Sequence, residues 1–264
     1  MGEVQEGEWL GLTPPDNQME SEVTLVPAGD LAVSIEFESV LSPEVNARVR
    51  ALDHLLLKAK LPGVLETVPT FRSLLVYYDP LVIAWDHLTA FIQTLIPHAR
   101  PERIPPGRRV EVPCSYGGRH GPDLEAAAER LHLDPDALIR LHTGAELVVA
   151  FLGFTPGLPY LMGLPTALNL PRLTTPRTKI PAGSVGIAGN QGVIYSVESP
   201  GGFWILGQTP LALYDPQAAE PILLRPGDRL RFVPVAAESF QAMRRAVVAG
   251  TYHPLIEEPP ERPA

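Results

Sequence analysis

The first third of the chain combines alternating apolar and polar residues with stretches of helical periodicity. Alternation predicts strands over 21–26, 31–37, 64–68 and 73–78. Helical spacing of apolar residues predicts one helix beginning after Ser42-Pro43, a capping serine followed by proline, and a second over 85–96. The order β-β-α-β-β-α predicts an α+β domain over residues 21–100, with a ferredoxin-like arrangement of helices on one face of a sheet.

The remainder of the chain predicts a second, mainly-β domain over residues 110–250. Proline and charge in 101–109 indicate a linker. Short helices are predicted over 123–131, 135–141 and 237–249. Short strand-like segments between glycine and proline turns (110–113, 147–152, 185–187, 193–195, 204–206, 230–233) are typical of a sandwich or barrel. The polar ends, 1–20 and 251–264, are predicted to be flexible tails.

Composition and charge exclude several classes of protein. The chain has 264 residues, with 21 Lys and Arg against 30 Asp and Glu and a net charge of −9, so it lacks the basic surface of a nucleic-acid partner. Cys114 is the only cysteine, which excludes an internal disulfide. The longest central apolar run, 147–154, is far shorter than the roughly 20 residues of a membrane-spanning helix. With no signal-like pattern at the N-terminus, we expect a cytoplasmic protein without a membrane partner.

Candidate chemistry is concentrated between residues 151 and 210, where glycine and proline favour rigid loops that approach a ligand. Arg172 and Arg177 each follow a proline, and two guanidinium groups suit a carboxylate or phosphate; ordinary surface ion pairs are the alternative. His142 ends a predicted helix, where it serves either as an acid–base group or as a charge complementing the helix dipole.

Weaker candidates are polar residues that lie beside these glycines. Lys179 is either a third cation or a solvated side chain, and Tyr160 either lines a pocket or packs in the core. Thr155, Ser184 and Gln191 offer hydroxyl and amide groups, although turn hydroxyls commonly bond to nearby backbone. The chain has no Gly-Lys-Ser/Thr phosphate loop, no dinucleotide-binding glycine pattern, no metal-ligand spacing and no nucleophile elbow, so no metal site is predicted.

Four ordered motifs carry a resemblance to a known family: GFTPGLPYL (153–161), PRLTTPR (171–177), KIPAGSVGIAGNQGVIY (179–195) and SPGGFWILGQTP (199–210). With the preceding segment VPCSYGGRHGPDLE (112–125), they make the chain resemble the KipI, PxpB or allophanate hydrolase subunit 1 family. The resemblance implies an N-terminal α+β domain followed by a cyclophilin-like β-barrel. The sequence departs from the usual family pattern at Ser196, Phe203 and Gln208, and the last position lacks a customary cation.

The resemblance also implies a function. Members act with a KipA or PxpC-type partner subunit and a third, lactam-cleaving subunit as an ATP-dependent 5-oxoprolinase, which opens the lactam 5-oxoproline to glutamate. We therefore expect little activity from this chain alone, and ATP, with Mg²⁺ as a potential companion ion, bound in the complex. Arg172 and Arg177 would hold the substrate carboxylate or the phosphoryl group, and His142 would orient substrate or shuttle a proton. Other expected binding positions are Thr155, Gly157, Tyr160, Lys179, Ser184, Gln191, Gly201 and Gly202, with backbone N–H groups from Gly183 to Gly189 cradling phosphate.

Two alternatives to the oxoprolinase remain open from the sequence. One relative of the family inhibits a sporulation histidine kinase, which suggests a regulatory binding protein without catalysis of its own. Others form part of urea carboxylase, which suggests a urea carboxylase or allophanate hydrolase-type subunit. A proline isomerase-like module rests on fold analogy alone.

Overall fold

A computed structural model describes residues 23–103 and 106–259. The chain divides into two compact units, residues 1–105 and 106–264. The division falls within the range 101–109 that the sequence predicts as a linker.

The first unit is a four-stranded antiparallel sheet with two helices. Its elements are β1 (Thr24–Pro27), β2 (Ala32–Glu36), α1 (Pro43–Ala59), β3 (Val64–Pro69), β4 (Ser73–Tyr78) and α2 (Trp85–Leu95), followed by 3-10 turns Ile96–His98 and Pro101–Arg103. The N-cap Ser42 accepts a hydrogen bond from the Val45 N–H at 3.1 Å, and Pro43 takes the first helical position. The predicted order of strands and helices is therefore observed.

The sheet order is β1-β2-β4-β3, and every neighbouring pair is antiparallel. One sheet face supplies the core with Val33, Ile35, Leu74 and Val76, which cluster with apolar residues of the helices. The ferredoxin-like arrangement is not confirmed, because that topology begins with a strand–helix–strand unit. Here the chain opens with a hairpin, since Pro27-Ala28-Gly29-Asp30 forms a tight turn with Gly29 at φ 67°.

The second unit contains a closed seven-stranded barrel. Its elements are β5 (Arg109–Tyr116), α3 (Leu124–Arg130), α4 (Pro135–Gly144), β6 (Leu147–Leu152), β7 (Pro159–Met162), the 3-10 turn Thr166–Leu168, β8 (Arg177–Ile180), β9 (Ser184–Ala188), β10 (Gln191–Ile194), β11 (Ser199–Gly201), β12 (Trp204–Gln208), β13 (Arg229–Pro234), α5 (Ala237–Val248) and β14 (Ile256–Glu257). The strands run in the order β12-β9-β10-β7-β6-β13-β5, and β12 pairs with β5 to close the ring. Strands β8 and β11 form a separate ribbon. The cyclophilin-like relationship stays a prediction.

Residues on alternate positions of the barrel strands belong to two different clusters. Leu161 and Ile194 pack in a cluster that draws on six barrel strands and includes Phe232, so this face is the barrel interior. Their sequence neighbours Tyr160 and Val193 belong to a second cluster on the opposite face, together with Ile180 of the β8–β11 ribbon. The ribbon thus covers part of the outside of the barrel, and the loops next to it carry most of the predicted site.

The predicted C-terminal tail, 251–264, is wrong in one part. Ile256 and Glu257 form β14, which pairs antiparallel with Val110 and Arg109 of β5. Tyr252 also packs against the interior cluster. A two-residue strand among prolines gives no alternating pattern, so only the available edge of β5 reveals it. Within the described ranges, no helix is long and apolar enough to cross a membrane.

Candidate functional site

The loop 171–176 precedes β8 and carries the first arginine of the predicted anion clamp. The Leu173 N–H donates to the carbonyl of Gly202 at 2.8 Å, and the indole N–H of Trp204 donates to the carbonyl of Pro171 at 2.8 Å. Two hydrogen bonds to the segment joining β11 and β12 therefore fix the loop beside Arg172.

Arg172 lies on an aromatic wall with its charge available. Its guanidinium carbon is 5.0 Å from the ring centroid of Phe203, a cation–π distance, and Phe203 itself is buried. The Arg172 side chain is exposed, and among the described residues it has no carboxylate partner. Its planar fork of donors is thus oriented by the ring and open to an anionic ligand.

Two tyrosines lie close enough to Arg172 to interact with its charge. Burial raises the pKa of Tyr195 to about 12 and also raises the pKa of Tyr160, while the Arg172 charge opposes both shifts. The Tyr160 ring is stacked on Phe151 with centroids 4.6 Å apart. Both hydroxyls therefore stay protonated at neutral pH, and the local surface combines one cation with neutral polar groups and aromatic faces.

Gly201 explains why the tyrosine can occupy its position. A Cβ atom at residue 201 would lie 1.9 Å from the Tyr195 hydroxyl oxygen, so only glycine leaves room for it. The backbone N–H of Phe203 also bonds to that hydroxyl. Gly202, in contrast, would place a Cβ no nearer than 3.6 Å to its neighbours, which is ordinary contact.

The second arginine of the predicted clamp has a structural partner. Arg177 donates from both terminal nitrogens to Asp123, at 2.9 and 2.5 Å, and Asp123 also accepts the Ile205 N–H at 2.7 Å. The Asp123 side chain is only 9% exposed, so its charge needs this pairing. Arg177 therefore ties the ribbon to β12 and to the start of α3, and its two terminal nitrogens are already committed.

The structure places His142 in the barrel interior rather than at the loops around Arg172. It is 1% exposed, its Nδ1 lies 2.8 Å from the Tyr116 hydroxyl, and its ring lies 4.5 Å from that of Phe232. Burial lowers the pKa of His142 to about 4, so the imidazole is neutral at pH 7. An acid–base role requires contact with substrate, and the barrel wall separates His142 from the outer face that carries Tyr160.

The backbone of residues 183–189 does not fit the predicted phosphate cradle. The Gly183 N–H donates to the Tyr195 carbonyl at 2.6 Å, the Ser184 N–H donates to the Pro181 carbonyl at 3.2 Å, and the Gly189 N–H donates to the Leu170 carbonyl at 2.5 Å. The intervening residues form β9, which pairs on both sides with β10 and β12. These N–H groups are used within the fold, so this segment of the chain offers no nest for ATP phosphates.

The remaining predicted positions have structural surroundings. Lys179 forms an exposed ion pair with Glu198 at 3.2 Å, and the Thr155 hydroxyl lies 3.2 Å from that of Ser196. Gln191 begins β10, Ser184 is buried, and Gly157 adopts φ 72° in the loop between β6 and β7. Gln208, where the family usually has a cation, donates to the Ala182 carbonyl at 2.8 Å. In the described part of the chain, no group of three or more His, Cys, Asp or Glu residues is arranged to hold a metal ion.

The sequence analysis missed two residues that shape the site. Tyr195 ends the predicted strand 193–195, and its period-two relation to Val193 places it on the same outer face. Asp123 was identified only as the start of a helix. Its partner lies 54 residues away, and local spacing gives no signal for such a pair.

Comparison with known proteins agrees with this architecture. A family model described as the carboxyltransferase domain, subdomain C and D, matches residues 23–224. A 5-oxoprolinase subunit of Bacillus subtilis (strain 168) is 39% identical over 227 residues, which cover 82% of this chain and 94% of that protein. The crystal structure of TTHA0988 is similar with a TM-score of 0.71 at 40% identity, covering 78% of this chain and 40% of that one, so this chain spans about two fifths of it. The urea carboxylase of Kluyveromyces lactis matches with a TM-score of 0.75 over 94% of this chain and 25% of that one, but at 21% identity it shows the fold alone.

A closed barrel with a sheet-and-helix unit before it is thus a known carboxyltransferase-domain architecture. The chain belongs to the carboxyltransferase subdomain C and D family, in the group that includes the 5-oxoprolinase subunit of Bacillus subtilis. The family resemblance inferred from the motifs is confirmed.

Proposed function

We propose that this chain is a subunit of an ATP-dependent 5-oxoprolinase and that it supplies the group that binds the substrate carboxylate. The curated relatives at about 40% identity are named as 5-oxoprolinase subunits of one type, and this chain covers more than nine tenths of two of them. The single structural observation that supports the assignment is Arg172, which lies against Phe203 without an anionic partner in the described ranges.

The local chemistry suits 5-oxoproline. This substrate is a small flat lactam ring that carries one carboxylate. A guanidinium fork binds a carboxylate with two parallel hydrogen bonds, and the surrounding aromatic faces suit the apolar edge of the ring. The hydroxyl of Tyr160, protonated because burial raises its pKa, is a candidate donor to the lactam oxygen.

The same geometry argues that the phosphates of ATP bind elsewhere in the complex. The terminal nitrogens of Arg177 are paired with Asp123, Lys179 is paired with Glu198, and the backbone N–H groups of β9 are used in the sheet. ATP would supply a phosphoryl group that activates the lactam carbonyl, and we propose that a KipA or PxpC-type partner provides its binding groups. A third, lactam-cleaving subunit would complete the reaction. The chain alone is then expected to be inactive.

The test is reconstitution of the complex from purified subunits. Glutamate formation from 5-oxoproline should require ATP and this chain together with both companion subunits. Arg172→Ala should remove most of the activity. Arg225→Ala, which removes an exposed arginine paired with Glu220, should leave it unchanged. If a verified complex forms glutamate equally well with the Arg172→Ala chain, the carboxylate-binding role is wrong; if it forms none with the wild-type chain, the oxoprolinase assignment itself is wrong.

A further inference from the structure

Phe154, in the loop between β6 and β7, combines two features that folding alone does not explain. Its backbone φ is 68°, in the left-handed region that aromatic residues rarely adopt, and its side chain is 64% exposed. The other described non-glycine residues with positive φ, Lys60 and His132, lie at the ends of helices, where this conformation is common. Phe154 has no such helix-ending role, and its ring is mostly in solvent.

The loop around Phe154 is held firmly, so the strained conformation persists. The Gly153 N–H donates to the Leu158 carbonyl at 3.0 Å, and the Leu158 N–H donates to the Thr155 carbonyl at 3.1 Å. The Thr155 hydroxyl adds the contact with Ser196 at 3.2 Å. Strain maintained by the surrounding structure at an exposed position is typical of functional sites.

This loop borders the site around Arg172. A Cβ atom on Gly153 would lie 3.3 Å from the ring of Phe151 and 3.9 Å from that of Tyr160, so the loop packs directly on the stacked pair. On its other side, Ser196 follows Tyr195, whose hydroxyl interacts with the Arg172 charge. Phe154 therefore projects from the rim of the site.

We propose that Phe154 is the anchor through which the companion subunit that supplies the phosphate-binding groups docks over this site. This inference rests on the proposed function. Because the residues described above leave no cradle for phosphate, the subunit that completes the site must meet its rim, and Phe154 projects there. A small substrate is a poorer occupant, because small-molecule sites enclose their ligand in a concave pocket, whereas protein interfaces use projecting aromatic anchors that enter a pocket on the partner.

The experiment compares three variants of the full-length chain. Phe154→Ala removes the ring but keeps the Cβ atom. Phe154→Gly removes the ring and the backbone strain together. Leu81→Ala is the matched control, because Leu81 is 94% exposed and lies in the other unit. For each variant, calorimetry measures the Kd for the companion subunit, and thermal unfolding measures the Tm of the chain alone.

We expect the Kd to rise by about 30-fold in both Phe154 variants and to stay unchanged in Leu81→Ala. The Tm should rise by about 2–4 °C in Phe154→Gly, because glycine adopts positive φ without strain. At companion concentrations above the raised Kd, kcat for 5-oxoproline should return to the wild-type value.

Two other outcomes overturn the inference in distinguishable ways. If wild-type chain and both Phe154 variants bind the companion equally, Phe154 is not the anchor, while the oxoprolinase assignment stands on the activity of the complex. If Phe154→Gly lowers the Tm and leaves the Kd unchanged, Phe154 has a structural role instead. A wild-type chain that binds no companion subunit refutes both this inference and the proposed function.

Discussion

The ion pair between Arg177 and Asp123 offers a quantitative test of how the site is held. Asp123→Asn keeps the size of the side chain and an oxygen to accept the Ile205 N–H, but it removes the charge that two guanidinium nitrogens contact. Removing one partner of a fully buried pair costs about 3–5 kcal/mol. Because the Arg177 side chain is 35% exposed and regains water, we expect about 2–3 kcal/mol for this variant.

Urea unfolding followed by tryptophan fluorescence measures this loss in the barrel unit. The chain has three tryptophans, and replacing Trp9 and Trp85 with phenylalanine leaves Trp204 of β12 as the reporter. Each kcal/mol lowers the Tm of a unit of this size by about 2–4 °C, so Asp123→Asn should lower it by about 4–12 °C.

A double-mutant cycle separates the pair from the other contacts of each residue. Asp123→Ala, Arg177→Ala and the double variant should give a coupling energy of about 1.5–3 kcal/mol. The control cycle uses Arg225 and Glu220, which are 2.7 Å apart but 55% and 76% exposed, and should give less than about 1 kcal/mol. Equal coupling in the two cycles would refute the reasoning that burial makes the Asp123 pair structural.

Two further predictions concern residues near the site and in the barrel interior. Because the pKa of His142 is about 4 in the folded chain and about 6.5 when unfolded, the unfolded state binds more protons between these values, and stability should fall as pH decreases through this window. Urea unfolding at pH 8 and pH 5 should show this contribution as a loss of about 2 kcal/mol that His142→Gln abolishes; an equal pH dependence in wild type and variant would contradict the buried, neutral assignment. Gly201→Ala should destabilise the chain by about 1–3 kcal/mol and lower complex activity, because its Cβ atom collides with the Tyr195 hydroxyl, whereas Gly202→Ala should change stability by less than about 0.5 kcal/mol. Equal thermal stability of the two alanine variants would show that the hydroxyl does not need the space at residue 201.

Local sequence pattern predicted much of the secondary structure, for physical reasons visible in particular elements. The Ser42-Pro43 pair marks the start of α1 because a cap and an N1 proline act within one turn. Alternation over 73–78 predicts β4 because only one face of the sheet is covered by helices. Closure of the barrel was beyond the pattern, since β5 and β12 meet across about ninety residues of chain.

The site was predictable in part, and the limits have the same origin. The motifs directed attention to Arg172, and its neighbours confirm that its side chain is exposed on an aromatic wall. The environments of Arg177 and His142 depend on Asp123, Tyr116 and Phe232, which come from distant strands and loops. Spacing along the chain therefore identified polar groups but not which of them the fold has already paired or buried.

The most direct test of the carboxylate-binding role compares two lactams in the reconstituted complex. The pair is 5-oxoproline and 2-pyrrolidone, the same ring without the carboxylate, and the variants are Arg172→Ala and the charge-retaining Arg172→Lys. Loss of a hydrogen-bonded contact to a charged group is worth about 1.5–3 kcal/mol, so Arg172→Ala should lower kcat/KM for 5-oxoproline by about 10- to 150-fold. It should leave any turnover of 2-pyrrolidone unchanged, and Arg172→Lys should fall between the two. An equal loss for both lactams, or no loss for 5-oxoproline, would contradict the account.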